Sequence, residues 1–335
     1  MKRPKKILII RFSSIGDIIL TSPLLRWIKE QLPRSEVHYL TKKQFGPILE
    51  ANPYVDQLWL YEHNFKDIIP GIKSQGVQFI VDLHMNYRSN FVRKQFYEPN
   101  TSFPKLNVRK WLMVNLKINL LPDIHIVDRY FQAIQILGVE NDGNGLDYFI
   151  PEKDEVPIDS LPEVFHKGYI AFVIGGKHNT KILPAEKVAL ISNRLTRPVV
   201  LLGGEEDHER GEEIAGTCRN QVVNTCGKYN INQSASLVRQ ADKVISNDTG
   251  LMHVAAAFRK PVISVWGSTV PAFGMSPYLP DKDKNLSEIF EVKGLSCRPC
   301  SKIGFDKCPK RHFRCMNDQD MEGIITSLNA SQQPV

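Results

Sequence analysis

At 335 residues the chain is long for one domain and fits two. A hydrophobic fraction of 42% and a charged fraction of 24% are ordinary for a soluble globular protein, and no apolar run approaches the roughly 20 residues of a membrane span. The formal charge of +7 points to an anionic partner, with nucleic acid, acidic lipid headgroups and phosphorylated sugars all open.

The opening Met1-Lys2-Arg3-Pro4-Lys5-Lys6 carries the charge of a signal-peptide n-region. Ile7 to Ile10 is too short for the apolar core of one, and Arg11 ends it, so a cytoplasmic protein with a basic lead-in is expected. Ile7-Leu8-Ile9-Ile10 reads as a strand buried in a parallel sheet. The turn Ser13-Ser14-Ile15-Gly16-Asp17 leads to a helix over about residues 18–31. Val37–Leu40, Gln57–Leu60 and Val77–Leu83 are further strands with helical segments between them, the rhythm of a doubly wound α/β fold.

Residues 84–125 break that rhythm. From Arg88 to Lys117 stand seven basic residues (Arg88, Arg93, Lys94, Lys105, Arg109, Lys110, Lys117) against the single acid Glu98, with Phe91, Tyr97 and Trp111 among the interleaved aromatics. Such a stretch can hold an anionic ligand, lie on an acidic membrane, or be a solvated basic face. Asp128–Leu137 reads as a helix and Gly138–Gly145 as a turn. Residues 151–167, rich in Pro and acids, read as the linker between a domain over 1–155 and another over 156–335. The second domain has strands at Tyr169–Ile174, Pro198–Leu202, Gln221–Thr225, Lys243–Ser246 and Pro261–Trp266. Its helices fall near 185–195, 206–216, 232–240 and 250–258, with a short one over 318–329. Two Rossmann-like domains facing each other across a cleft are expected, with ligands at the carboxyl ends of the strands.

Neither half has G-x-G-x-x-G after its first strand, and neither a P-loop nor a G-x-S-x-G elbow is present, which argues against nicotinamide or flavin enzymes, P-loop enzymes and serine hydrolases. What remains handles phosphate. Val244–Ala257 runs from a β-branched strand through small polar residues into an Ala-rich helix. Thr249 and Gly250 thus stand at a helix N-terminus, where free N–H groups and the dipole favour an anion. Asp248 or Thr249 is equally an ordinary N-cap, and His253, one turn on, either faces the same point or packs in a core. Gly175-Gly176-Lys177-His178-Asn179-Thr180-Lys181 follows another strand. Lys181 with the helix N-terminus can neutralise a diphosphate without a metal. After a third strand, the carboxylates of Glu205 and Glu206 suit ribose hydroxyls. Asp17, in the other half, is a candidate general base or a helix N-cap.

The stretch Arg11-Phe12-Ser13-Ser14-Ile15-Gly16-Asp17-Ile18-Ile19-Leu20-Thr21-Ser22-Pro23-Leu24-Leu25 resembles the opening of the family-nine glycosyltransferases, the ADP-heptose:lipopolysaccharide heptosyltransferases. Ser246–Ala257, with Pro261 and Trp266-Gly267-Ser268-Thr269, is similar to their donor-site motif, and Lys181-Ile182-Leu183-Pro184 to their Lys-x-x-Pro. The resemblance spans nearly the whole chain. It implies a GT-B fold that binds the acceptor in the N-terminal half and the nucleotide-sugar in the C-terminal half. It further implies an inverting, metal-independent transfer of heptose from ADP-heptose to the lipopolysaccharide inner core, on Kdo-lipid A or a preceding heptose, with no cofactor. On that reading Asp17 deprotonates the acceptor hydroxyl. Lys181, the N–H groups at Thr249 and Gly250, and His253 stabilise the departing diphosphate. Gly175, Gly176, Lys177, Thr180, Glu205, Glu206, Asp248 and Leu251 complete the donor site. Ser13, Ser14 and Gly16, with Arg88, Arg93, Lys94, Arg109 and Lys110, bind the anionic lipid-linked acceptor. Trp111-Leu112-Met113-Val114 would touch acyl chains, giving a peripheral protein of the inner leaflet. The chain departs from many members ahead of the lysine: it has Gly176-Lys177-His178-Asn179-Thr180 where they carry Thr or Ser and Arg, which bears on the sugar.

Six cysteines complete the inventory: Cys218, Cys226, Cys297, Cys300, Cys308 and Cys315. The last four, with His312, have the makings of a structural zinc site of Cys₄ or Cys₃His type. Reduced thiols or a labile disulfide are the competing states. Two other functions stand beside the leading one. The first is a GT-B enzyme using another nucleotide-sugar or catalysing epimerisation. The second is a non-enzymatic basic module that binds nucleic acid or membrane and carries a zinc cluster. Two complete α/β halves and the lack of any usual nucleic-acid motif stand against the module, so no nucleic-acid partner is expected.

Overall fold

The computed structural model describes residues 4–330, so the calls on Met1-Lys2-Arg3 and on residues 331–335 lie outside the described residues. The first sheet is built from β1 (Lys6–Ile10), β2 (Glu36–Lys42), β3 (Gln57–Tyr61), β4 (Phe79–Asp82) and β5 (Asn100–Ser102). All its pairings are parallel and its order is β3-β2-β1-β4-β5. The second holds β6 (Ile170–Val173), β7 (Val199–Leu202), β8 (Val222–Asn224), β9 (Lys243–Asn247), β10 (Val262–Trp266) and β11 (Ser287–Glu291). It too is parallel throughout, in the order β11-β10-β9-β6-β7-β8. Crossover helices cover such sheets on both faces, which is why the central strands are continuous apolar runs. Ile7 to Ile10 and Val199 to Leu201 are fully buried.

The chain divides into two compact units, each with its own core. One runs to Lys105 and resumes at Ile124–Pro151. The other takes Leu106–Asp123 and everything from Glu152 onward. Residues 106–123 therefore pack with the second unit, whereas the linear reading assigns them to the first. Within this segment the helix Asn107–Leu116 is flanked by left-handed Leu106 and Lys117 and has no buried residue. It is held by backbone oxygens and long cations. Lys302 Nζ donates to the Asn107 carbonyl at 3.3 Å, and Lys117 Nζ to those of Cys297 and Pro299 at 3.1 and 2.7 Å.

The expected helix over 18–31 is two helices, Ile15–Ile19 and Ser22–Gln31. Pro23 lacks the N–H that an unbroken ladder needs there and is at home in a first turn. Thr21 fastens the join, its hydroxyl donating to the Ile18 carbonyl at 2.7 Å. Of the four edge strands, β5 and β11 are polar or mixed, whereas β3 carries Leu58-Trp59-Leu60-Tyr61, so edge position alone does not decide composition. The linker is not a loose tether. Asp154 accepts hydrogen bonds from the amides of Asn230 (2.9 Å) and Asn232 (3.0 Å), and Glu155 pairs with Arg239 at 2.6 Å.

Candidate active site

In the first unit the chemistry gathers where β1 and β4, neighbours in the sheet, reach their carboxyl ends. Arg11 follows β1 directly and is buried. Its Nε donates to the Ser13 carbonyl at 2.9 Å, its Nη1 donates to the Leu83 carbonyl just past β4, and its Nη2 stands 2.5 Å from Asp17 Oδ1. The other carboxylate oxygen, Asp17 Oδ2, accepts from Ser14 N at 3.1 Å and Ser14 Oγ at 2.7 Å. This is a capping box on the helix Ile15–Ile19, in which Ser14 is the N-cap and Asp17 its reciprocal partner. Asp17 thus serves the helix end, although the cap residue itself is Ser14. Burial alone would raise the Asp17 carboxyl. The Arg11 charge and the Ser14 hydrogen bonds outweigh it and hold the group at about 2. Asp17 Oδ2 takes both Ser14 hydrogen bonds, whereas Oδ1, paired with Arg11, keeps a second acceptor site where a hydroxyl can still bind.

His84 was not anticipated. It sits beyond β4 with its ring 4.9 Å from that of Phe12. Burial, then the charges of Arg11 and Lys105, push its pKa down to about 3, so the imidazole is neutral. Lys105 Nζ donates to the carbonyls of His84 and Met85 at 2.8 and 3.1 Å. Arg11 also lies 5.8 Å from the centre of the Tyr130 ring. The strand order β1-β4 is what joins these residues to Asp17, and no local pattern announces it. Of the expected acceptor residues, Ser14 is exposed, Ser13 half-buried and Gly16 buried in its helix. Arg88, Arg93 and Lys94 lie along and just after the helix Tyr87–Arg93 in this unit, Arg88 bonded to the Tyr87 hydroxyl and Arg93 to Asn90. Arg109 and Lys110 belong to the second unit.

In the second unit β9 ends at Asn247 and the helix Gly250–Ala257 begins with Thr249 as its extended N-cap. Lys181 Nζ stands 2.6 Å from Asp248 Oδ2, which also accepts from Thr269 Oγ1 at 2.9 Å. Gly176 lies against both elements: a Cβ there would meet Ile182 Cγ1 at 3.2 Å and Thr249 Cγ2 at 3.3 Å. Thr180 is tied to the β10 turn, its carbonyl accepting from Ser268 N at 3.1 Å. The fold therefore brings Gly176, Thr180, Lys181, Asp248, Thr249 and Gly250 together. Gly175 has a different use, since a Cβ on it would fall 2.3 Å from Asp207 Oδ2, so glycine is needed for packing. Lys177 is exposed, and Leu251 and His253 are buried behind the helix N-terminus. That burial favours the core-packing alternative for His253. Glu205 and Glu206 line a cavity of about 490 Å³ with His208, Glu209, Cys226, Gly227 and Lys228, at the carboxyl ends of β7 and β8.

All six cysteines are free thiols. Among the described residues no group of three or more His, Cys, Asp or Glu side chains is placed to hold a metal ion, and no helix is long and apolar enough to cross a membrane.

Residues 71–302 match the profile described as glycosyltransferase family 9 (heptosyltransferase). The chain belongs to glycosyltransferase family 9. Its relatives include lipopolysaccharide heptosyltransferase 1 of Campylobacter coli, 24% identical over 288 residues that cover 79% of this chain and 84% of the relative. Among solved structures it resembles the family 9 glycosyltransferase of Veillonella parvula, with a TM-score of 0.70, 22% identity and 86% of each chain covered. It also resembles the Escherichia coli ADP-heptose lps heptosyltransferase II, with a TM-score of 0.66, 20% identity, and 93% of this chain and 98% of that one covered. The fold of this family 9 enzyme is GT-B, two Rossmann-like units. Family membership also removes the non-enzymatic binding module from consideration.

Proposed function

We propose that this glycosyltransferase moves heptose from ADP-heptose, with inversion, to an anionic lipid-linked sugar of the lipopolysaccharide inner core, Kdo-lipid A or a preceding heptose. The observation that carries this reading is the Lys181–Asp248 pair at the mouth of the helix Gly250–Ala257. A diphosphate placed there meets helix N–H groups fixed before the reaction starts and competes with Asp248 for Lys181, and such preorganised donors lower the barrier to its departure. This cradle supplies the stabilisation that a bound cation would otherwise give, so transfer needs no metal or cofactor. Lys177 and the backbone at Gly176 and Thr180 frame it. Glu205 and Glu206 take the ribose, and the neighbouring cavity takes the base.

In the transfer step the acceptor hydroxyl attacks the anomeric carbon as the bond to the diphosphate oxygen breaks. The hydroxyl proton passes to Asp17, the acceptor oxygen is glycosylated, and ADP leaves. A carboxylate at about 2 is a weak base, so the proton moves late, once the oxygen has acquired bonding to carbon. Arg11 keeps that carboxylate ionised and aimed, and the nearby His84 ring offers a neutral hydrogen-bonding group to the acceptor.

The named activities of the similar proteins support the choice of donor and acceptor. An inner-leaflet, cytoplasmic setting is supported by the helix Asn107–Leu116, which leaves Val108, Trp111 and Leu116 at least half exposed beside Arg109. The experiment is direct assay with ADP-heptose and Kdo-lipid A, with the anomeric configuration of the product read by NMR. A product of retained configuration would refute single displacement.

A further inference from the structure

Four of the six cysteines fall in the irregular stretch 297–315, and glycosyl transfer as described above uses none of them. Two of the four meet. The Cys300 thiol turns back onto the Cys297 residue and donates to its carbonyl at 3.1 Å. The Cys297 sulfur also faces the exposed ring of His312, 3.8 Å from Nε2, and Lys117 Nζ is bound to the carbonyls on either side of this turn. Cys297 is half-buried, whereas Cys315 is sealed in the core. The stretch carries Arg298, Lys302, Lys307, Lys310, Arg311 and Arg314 against the single carboxylate Asp306. Arg298 and Arg314 are paired with Glu291 and Asp318, so the lysines and Arg311 are left as the charges that would draw an anionic disulfide to this stretch.

We propose that Cys297 and Cys300 form a thiol–disulfide site for an anionic low-molecular-weight disulfide of the glutathione type. The Cys297 thiolate attacks one sulfur of the disulfide, forms a mixed disulfide and displaces the first thiolate. Cys300 gives its proton to solvent and attacks the Cys297 sulfur, displacing the second. The two cysteines together lose two protons and two electrons, and the oxidant leaves as two thiols.

The site is wired to the donor loop. Cys300 N donates to the Ser268 carbonyl at 3.0 Å, and Thr180 Oγ1 and Ser268 Oγ stand 2.9 Å apart. Thr180 N donates to the Phe305 carbonyl at 3.0 Å, and Phe305 N donates to Thr180 Oγ1 at 2.7 Å. Gly304 runs so close that a Cβ on it would reach Lys181 Cδ at 3.2 Å. Closing the disulfide therefore displaces the support of Lys181 and weakens nucleotide binding, a consequence that rests on reading Lys181 as a diphosphate ligand.

The test uses the full-length protein, reduced and desalted, with zinc and iron first measured by elemental analysis, then treated with oxidised glutathione. A 297–300 cross-link in a non-reducing peptide map, reversed by dithiothreitol, is expected. Cys300→Ser should trap a lasting glutathione adduct on Cys297, and Cys297→Ser should abolish it. A cross-link between other cysteines, an adduct on Cys308 in place of Cys297, or stoichiometric metal held by these thiols in the purified protein would overturn the site. The oxidised protein should bind ADP several-fold more weakly than the reduced protein. An equal Kd would refute the link to Lys181 and leave the thiol chemistry to the peptide map. Failure of the reduced protein to bind ADP would instead count against the nucleotide reading.

Discussion

Asp17 serves two masters. One carboxylate oxygen is held by Arg11 and the other by Ser14, so the group that completes a helix cap is also the only ionised carboxylate this turn offers to an acceptor. Asp17→Asn keeps the shape and removes the base. Turnover should fall by about 10²–10⁴-fold, the usual worth of a general base, while ADP still raises Tm by the wild-type increment. Near-normal turnover in this variant would remove Asp17 from the mechanism. The acid response of the fold follows from the same neighbourhood. The carboxyl of Asp17 is lowered from 3.8 to about 2, so its contribution to stability is present above 3.8 and is lost as pH falls through about 2. His84 is lowered from 6.5 to about 3, so the unfolded chain takes up a proton that the folded ring refuses, and stability drains away as pH falls from 6.5 toward about 3. In His84→Gln the unfolding free energy, measured by urea denaturation across that window, should depend less steeply on pH. An unchanged slope would show that His84 is not held neutral.

At the scale of elements, the anion binding proposed for the second unit rests on a strand-to-helix junction. Thr249 ends the extended backbone of β9, the helix Gly250–Ala257 leaves its first N–H groups open, and Lys181 arrives from the loop after β6. The helix Asn107–Leu116 is a different kind of element. Ten residues with none fully buried gain little from packing, so its termini are anchored by Lys302 and Lys117 while Val108, Trp111 and Leu116 stay exposed. Its cations are the natural grip for an anionic amphiphile. Reversing charge in Arg109→Glu/Lys110→Glu should raise the acceptor KM several-fold and leave the Kd for ADP unchanged. An unaltered acceptor KM would assign this helix to something other than the acceptor.

At the scale of the whole molecule, the proposed donor site lies within one unit with its own core, so nucleotide binding should be readable as stability. A ligand at a hundred times its Kd adds about 2.7 kcal/mol to the fold it binds. ADP should therefore raise the Tm of the full chain more than UDP or GDP at equal concentration. A larger shift with UDP or GDP would point to another nucleotide-sugar, in keeping with the departure at Gly176–Thr180. The units themselves were largely legible. Apolar runs such as Ile7–Ile10 and Val199–Leu202 announce buried parallel strands, because burial on both faces leaves no polar alternation. The junctions after them are equally local, since Gly, Thr and Asp are what a tight turn into a helix needs.

The sequence by itself determined the doubly wound halves, the Asp17 turn and the Lys181 and Thr249–Gly250 elements, because each is written within a few neighbouring residues. Only the tertiary structure decided who holds whom. Strand order set Arg11 against the Leu83 carbonyl and brought His84 beside Arg11 and Asp17, the loop after β6 delivered Lys181 to Asp248, and residues 106–123 joined the second unit. These choices depend on pairings between segments tens of residues apart, where charge and burial act through space and leave no periodic trace along the chain.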